Sequence, residues 1–145
     1  MPSHLENLER VVRGELPQPP AAQLIGFKLT SIRRGESTVE IDANSSHANP
    51  MGTLHGGILC DVADFAMGTA YISTLEEDET FTTLELKINF LRPVWTDHLI
   101  AAGRVIQRGK TIGLVESTVT NSKGDRVAYL TSTCMTLRGQ HARGR

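Results

Sequence analysis

The chain has few cysteines, no excess of either charge and no long apolar run, and each shortage removes a class of function. Its 145 residues include two cysteines, Cys60 and Cys134, without the paired spacing that a zinc site, a redox motif or a disulfide scaffold needs. Both read as small buried hydrophobes. Fifteen Lys and Arg against sixteen Asp and Glu leave a formal charge of −1, so no overall field would gather nucleic acid or an acidic membrane surface. No stretch approaches the roughly 18 apolar residues of a membrane span, and no apolar segment near Met1 reads as a signal peptide. The expected compartment is the cytosol. The five histidines are scattered, with no i, i+4 pair or HExxH helix, so neither a metal nor a separate cofactor is expected. A GxSxG elbow, a P-loop and a GxGxxG turn are missing too.

What is present is enough for one domain over residues 1–145. Residues 1–22 read as an N-terminal helix and linker: Leu5, Leu8, Val11 and Val12 recur at helical spacing, Gly14 stops them, and Leu16 to Ala22 is a proline-rich extended connector. Phe27 to Arg34 and Ser37 to Ala43 read as a hairpin turning at Gly35-Glu36. Ser45 to Leu54 is a polar loop, and a helix runs from near Gly56 to Ser73. Glu76 to Glu79 form an acidic turn. Four strands follow, Phe81 to Leu91, His98 to Arg108, Thr111 to Thr120 and Arg126 to Leu137, joined by turns at Gly109-Lys110 and Asn121 to Asp125. Residues 138–145 form a basic, frayed tail. This order predicts an α+β fold, one curved antiparallel sheet wrapped around a long central helix.

The chemistry concentrates at the start of that helix. Asn49-Pro50-Met51-Gly52-Thr53-Leu54-His55-Gly56-Gly57 brings two glycines to a helix N-terminus, where unpaired N–H groups and a partial positive charge can face a developing oxyanion. Ile58, Leu59, Val62, Ala63, Ala66, Met67 and Ala70 make a wide apolar face. Gly57, Asp61, Asp64, Gly68 and Tyr71 share another stripe, which joins small residues to carboxylates. The blander readings are a solvated Asp64, a loop-capping His55, an Asn49 that only makes a turn before Pro50, and an Arg108-Gly109-Lys110 that is only a hairpin. Asp61, one turn before Asp64, competes with it as the acting carboxylate.

Two blocks in order, Asn49 with Gly52-Thr53 then His55-Gly56-Gly57 and Asp64, and later Leu86-Lys87-Ile88-Asn89-Phe90-Leu91-Arg92-Pro93, resemble the hotdog-fold acyl-CoA thioesterases of the phenylacetate-degradation, PaaI-like and THEM2-like group. The resemblance runs from about Leu24 to Leu137. It implies hydrolysis of acyl-CoA thioesters, aryl (phenylacetyl-type) or medium-chain, in sites shared between subunits of a homodimer or a dimer-of-dimers homotetramer. By that resemblance the Gly56 N–H polarises the thioester carbonyl, and Asp64 from the partner subunit attacks it or activates water. Asn49 helps place the water or the carboxylate, His55 lies near the thioester, and Thr83 supplies an assisting hydroxyl. Some relatives carry a hydroxyl where this chain has Gly68, so nucleophile and base remain open for Asp64. Gly57, Phe65, Arg108 and Lys110 are the expected contacts for substrate and CoA, with Met67, Tyr71, Phe81 and Leu91 also shaping the pocket. The alternatives are a hotdog hydratase or dehydratase and a non-catalytic acyl-CoA sensor.

Overall fold

In the computed structural model, which describes residues 1–144, the chain runs α1 (His4–Val12), α2 (Pro20–Ile25), β1 (Phe27–Arg33), β2 (Glu36–Ala43), α3 (Gly56–Ile72), β3 (Glu79–Phe90), β4 (Asp97–Arg108), β5 (Ile112–Thr120) and β6 (Arg126–Arg138). Short 3-10 turns at Ser45–His47 and Gly139–Ala142 complete it. The strands form one antiparallel sheet in the order β1-β2-β4-β5-β6-β3. Register shifts interrupt four of its five ladders, between Leu29 and Ser31, Thr83 and Glu85, Val105 and Gln107, and Val119 and Thr120. Bulges of this kind bend and twist strands, and the sheet curls around α3.

Alternation in the sequence carries the layer contacts. Gly113, Val115, Ser117 and Val119 of β5 are buried, and the alternate positions Ile112 and Leu114 are exposed. On α3 the buried side chains are Leu59, Val62, Ala63, Ala66, Met67, Thr69, Ala70 and Tyr71, so the helix and sheet enclose the core. Tyr71, which the helical stripe groups with the carboxylates, is fully buried, and its hydroxyl is 2.7 Å from Thr136 Oγ1. Met67 and Tyr71 are therefore core residues rather than pocket walls, and Phe81 packs on the Tyr71 ring at 5.5 Å between centroids. Cys134 is buried, but Cys60 is only half-buried.

α3 crosses the sheet at unusually close range. A Cβ at Gly103 would stand 2.3 Å from the carbonyl oxygen of Ala66, so only glycine lets the helix backbone lie on β4. Beside it the Ser37 hydroxyl donates to the same oxygen. At the helix end Ser73 Oγ donates to Ala70 O at 2.7 Å and accepts the Gly35 N–H at 2.7 Å, tying α3 to the β1–β2 turn.

The connector and the acidic turn both differ from expectation. Pro20 fits the first turn of a helix because its fixed φ suits that position and its missing N–H would go unpaired there, and Gly26 closes α2 in the left-handed region at φ 99. Gln18, upstream, acts as a false strand residue: its Oε1 accepts the Leu29 N–H at 3.0 Å and its Nε2 donates to Leu29 O at 3.3 Å. That amide occupies part of the outer edge of β1. The other edge, the twelve residues of β3, pairs only with β6 among the described residues.

Glu79 belongs to β3, not to a solvated turn, and is 8% exposed. Its carboxylate receives Arg138 Nε at 2.8 Å and Arg108 Nη2 at 3.2 Å. Burial pushes this carboxyl up, but the Glu76 N–H and the two guanidiniums outweigh it and hold the group below the usual carboxylate range. Arg138 thus belongs to β6, and Gly139–Ala142 beyond it form a 3-10 turn; Arg145 lies outside the described residues.

Gly103→Ala should cost about 1–3 kcal/mol of folding stability, because the added methyl must push the helix off the sheet. Urea denaturation of wild type and variant checks it; an unchanged midpoint would contradict the close seating.

Candidate active site

The site is assembled by the loop before α3. Asn49 Oδ1 accepts the Met51 N–H at 2.9 Å and the Thr53 N–H at 3.2 Å, and its Nδ2 donates to Thr53 Oγ1 at 2.7 Å. Gly52 turns the chain at φ 90, a conformation that side chains disfavour. The Leu54 N–H donates to Val94 O at 2.7 Å and the His55 N–H to His47 O at 2.9 Å, pinning the loop from two sides. Asn49 thus shapes the loop with its whole amide.

His55 then caps the helix. Its Nδ1 accepts the Gly57 N–H at 2.8 Å and its carbonyl accepts the Ile58 N–H at 3.0 Å. Gly57 and Ile58 are consumed, and no group among the described residues accepts the Gly56 N–H. Gly56 lies in the wall of a cleft of about 390 Å³ bounded also by Asn49, Thr53, Leu54, Leu59 and the segment Phe90 to Val94. A Cβ at Gly56 would come within 2.7 Å of the Phe90 ring, so glycine keeps the donor accessible beside an aromatic face. The sequence marks the Phe90–Pro93 block and gives a pocket role to Leu91 alone; the chain brings the whole block to Gly56 from more than thirty residues away.

Asp64 is on the same helix, eight residues on, or ~12 Å along the axis. It is half-buried, and burial first, then the negative charge of Asp61, push its carboxyl above the usual range. Asp61 is exposed; burial raises its carboxyl and His55 opposes that. Thr83 stands opposite Cys134 in the β3–β6 ladder. Burial raises the Cys134 thiol, hydrogen bonds with Ser132 and Thr83 pull it back, and the Asp64 charge adds to the rise. Asp64, Thr83 and Cys134 therefore share one neighbourhood. One turn beyond, a Cβ at Gly68 would meet the Phe81 ring at 3.4 Å.

The remaining expected contacts lie elsewhere in the chain. Phe65 packs on Phe27 with ring centroids 5.2 Å apart. Arg108 donates to Thr74 Oγ1 at 3.1 Å, pairs with Glu79 and covers the Tyr71 ring at 5.0 Å. Lys110 is exposed in the β4–β5 turn. Both basic residues sit at the C-terminal end of α3, ~25 Å along the helix from Gly56. A groove of about 310 Å³ on the outer sheet face is lined by Arg33 and Arg104, which already pair with Glu36 and Glu116.

A curved six-stranded antiparallel sheet around one long helix, with an open N–H at that helix's start, defines a hotdog-fold thioesterase. Residues 51–128 match the Thioesterase superfamily, and the chain belongs to that family of thioester hydrolases. A Saccharolobus solfataricus protein named provisionally as an esterase is 32% identical over 101 residues, 70% of this chain. The chain spans about two thirds of that relative's length, 67%. Human acyl-coenzyme A thioesterase 13 is 24% identical over 123 residues, 83% of this chain and 87% of the relative. A phenylacetic acid degradation-related protein of Ralstonia eutropha superposes with a TM-score of 0.80 at 30% identity, over 88% of this chain and 98% of that one. The E. coli PaaI protein has the same fold, with a TM-score of 0.81 at 23% identity over 97% and 99% of the two chains. No helix among the described residues is long and apolar enough to cross a membrane.

Because burial and Asp61 both disfavour its charge, Asp64 should titrate above the ordinary aspartate value of ~3.9, and Asp61→Asn should lower that value without restoring it fully. Carboxyl NMR titration of both proteins reads this; an Asp64 titrating at or below the ordinary value contradicts the burial.

Proposed function

We propose that the protein hydrolyses acyl-CoA thioesters to a free acid and CoA, in a site completed by two copies of the chain. The observation that carries this reading is the Gly56 N–H, left free by the His55 cap in the wall of the Phe90 cleft. A thioester carbonyl gains negative charge as it is attacked, so a fixed N–H stabilises the transition state more than the substrate, by about 3 kcal/mol per donor.

The carboxylate comes from a second chain. A carbonyl held at Gly56 is too far along the helix from the same chain's Asp64 for both to touch it. The long free edge of β3, which carries Thr83, is where a partner strand would pair, since Gln18 occupies part of the opposite edge. Antiparallel pairing of two β3 strands places each Asp64 neighbourhood toward the partner's Phe90 end, and with it Gly56. A dimer of such pairs is compatible with the same surface.

The chemistry then divides as follows. Gly56 polarises the carbonyl. The partner's Asp64 takes a proton from water as its oxygen bonds to the carbonyl carbon, or attacks that carbon itself, with water cleaving the resulting anhydride. The C–S bond breaks and the thiolate leaves as CoA. The raised Asp64 carboxyl makes it a stronger base than an ordinary aspartate. His55 holds the N-terminus, Asn49 holds the loop, and the Thr83 hydroxyl assists near Asp64. Aryl groups such as phenylacetyl, and medium-chain acyl groups, are the substrates to try first.

Asp64→Asn should reduce CoA release at least ~100-fold. Folding should survive, because a carboxyl raised in the folded state loses stability as pH rises through that value, and the amide removes this loss. Thiol detection over a panel of aryl- and fatty-acyl-CoAs, with thermal melts of both proteins, tests the reading. If wild type binds acyl-CoA and releases no thiol, a hydratase or a sensor replaces it.

A further inference from the structure

His98 is held in a way that fixes its charge. On the outer face of the sheet it stands opposite Asp42 in the β2–β4 ladder, with Glu40 two residues back along β2. Its Nδ1 is 2.6 Å from Asp42 Oδ1, and its Nε2 is 2.8 Å from Glu40 Oε1. A carboxylate only accepts and a neutral imidazole has one donor, so both contacts are hydrogen bonds only when the ring carries two protons. The bond to Asp42, then that to Glu40, push the ring above the usual histidine range, and slight burial opposes them. Thr30 and His98 hold the Glu40 carboxyl below the usual carboxylate range.

The other charged groups around the ring come from three directions. Lys28 of β1 stands opposite Glu40 in its ladder, the Asp97 carboxylate accepts the His98 N–H at 2.8 Å, and Lys123 of the β5–β6 turn faces Asp97. The two carboxylates address different ring nitrogens and do not converge as the ligands of a metal would. No metal-ligating cluster of three such side chains is present among the described residues.

Both strands that the ring joins run directly into the site. The Asp42 carbonyl accepts Asn44 Nδ2 at 3.3 Å, the Asn44 side chain caps the 3-10 turn Ser45–His47, and His47 O accepts the His55 N–H at 2.9 Å. On the other side the β3–β4 connection supplies Val94, whose carbonyl accepts the Leu54 N–H at 2.7 Å, and it ends one residue before His98 at Asp97. A ring that loses a proton turns a lone pair toward one carboxylate at hydrogen-bond distance. That contact becomes repulsive and must open.

We propose that His98 is a proton-operated clamp on these two connections: doubly protonated, it ties the end of β2 to the start of β4, and on losing a proton it releases one carboxylate and loosens the loop that carries His55 and Gly56. The folded ring holds its proton more tightly than the unfolded one. The clamp's stability is therefore fully present below the unfolded value and is lost as pH rises through the folded value. In acid the lowered Glu40 carboxyl sets the opposite limit, because its contribution is lost as pH falls through its folded value. His98 is half-exposed and Asp42 exposed, so solvent keeps the effect modest.

The test reads the ring protons directly and uses no turnover, so it stands apart from the hydrolase reading. Nitrogen NMR should show His98 still doubly protonated where an ordinary histidine is half titrated, and Asp42→Asn and Glu40→Gln should each lower its midpoint. Amide exchange at Leu54 and His55, corrected for the intrinsic effect of pH, should quicken about 2–5-fold as pH rises through that midpoint. Thermal melts over the same range should cost wild type about 1–3 °C of its lead over His98→Gln. In His98→Gln the exchange step should vanish. A His98 midpoint at or below that of an ordinary histidine, one unmoved by either carboxylate variant, or an exchange step missing from wild type or persisting in His98→Gln would overturn the clamp.

Discussion

The direct seating of the α3 backbone on β4 governs the rest of the structure. Gly103 leaves no side chain between the helix and the sheet, and Ser37 fastens the helix at the same carbonyl. Close-packed interiors transmit small displacements, so this contact sets the height and rotation of all 17 residues of α3. The position of the free Gly56 N–H at one end and the burial of Asp64 in the middle both follow from it. Tyr71, buried against Gly113 near the other end, leaves the helix no room to slide: a Cβ at Gly113 would stand 2.3 Å from its ring.

The chain spends its polar groups in two contrasting ways. At the C-terminal end of α3, the buried carboxylate of Glu79 pairs with the partly exposed Arg108 and Arg138 and holds strands β3, β4 and β6 together. Loss of the arginines would leave the buried Glu79 charge without a partner, which costs more than the pairing adds in net stability. At the N-terminal end the opposite holds. Two of the first three N–H groups are capped by His55 and one is left open, next to an unpaired Arg92 and an aromatic ring. Charge is neutralised at one end of the helix, and a backbone donor and an arginine are left without partners among the described residues at the other.

Local pattern made the elements legible. Alternation marked β5, the 3.6-residue repeat marked α3, and Gly35 and Gly124 marked turns that need positive φ. Asn49 and His55-Gly56-Gly57 could be located because the loop and cap are built from neighbours in sequence. Most of the misreadings involve distant partners. Glu79 sits in an acidic run, and only Arg108 and Arg138, far along the chain, make it a buried ion pair. Tyr71 shares a helical stripe with Asp64, but its hydroxyl reaches Thr136 in the core. Pro20 reads as a linker residue until Gly26 closes the short helix after it. The cleft itself was invisible, because it forms where the β3–β4 connection folds back over the start of α3.

The central claim is that one site uses Gly56 of one chain and Asp64 of another. Gly56→Pro removes that N–H at a helix position where proline is tolerated, its ring displacing the exposed side chain of Phe90, and Asp64→Asn removes the carboxylate. Each variant alone should be nearly inactive. When the two are unfolded together in equal amounts and refolded, half the dimers are mixed and each regains one of its two sites, so activity should return to about a quarter of wild type. No recovery in material shown to contain mixed dimers would contradict the shared site and place both groups' action within a single chain.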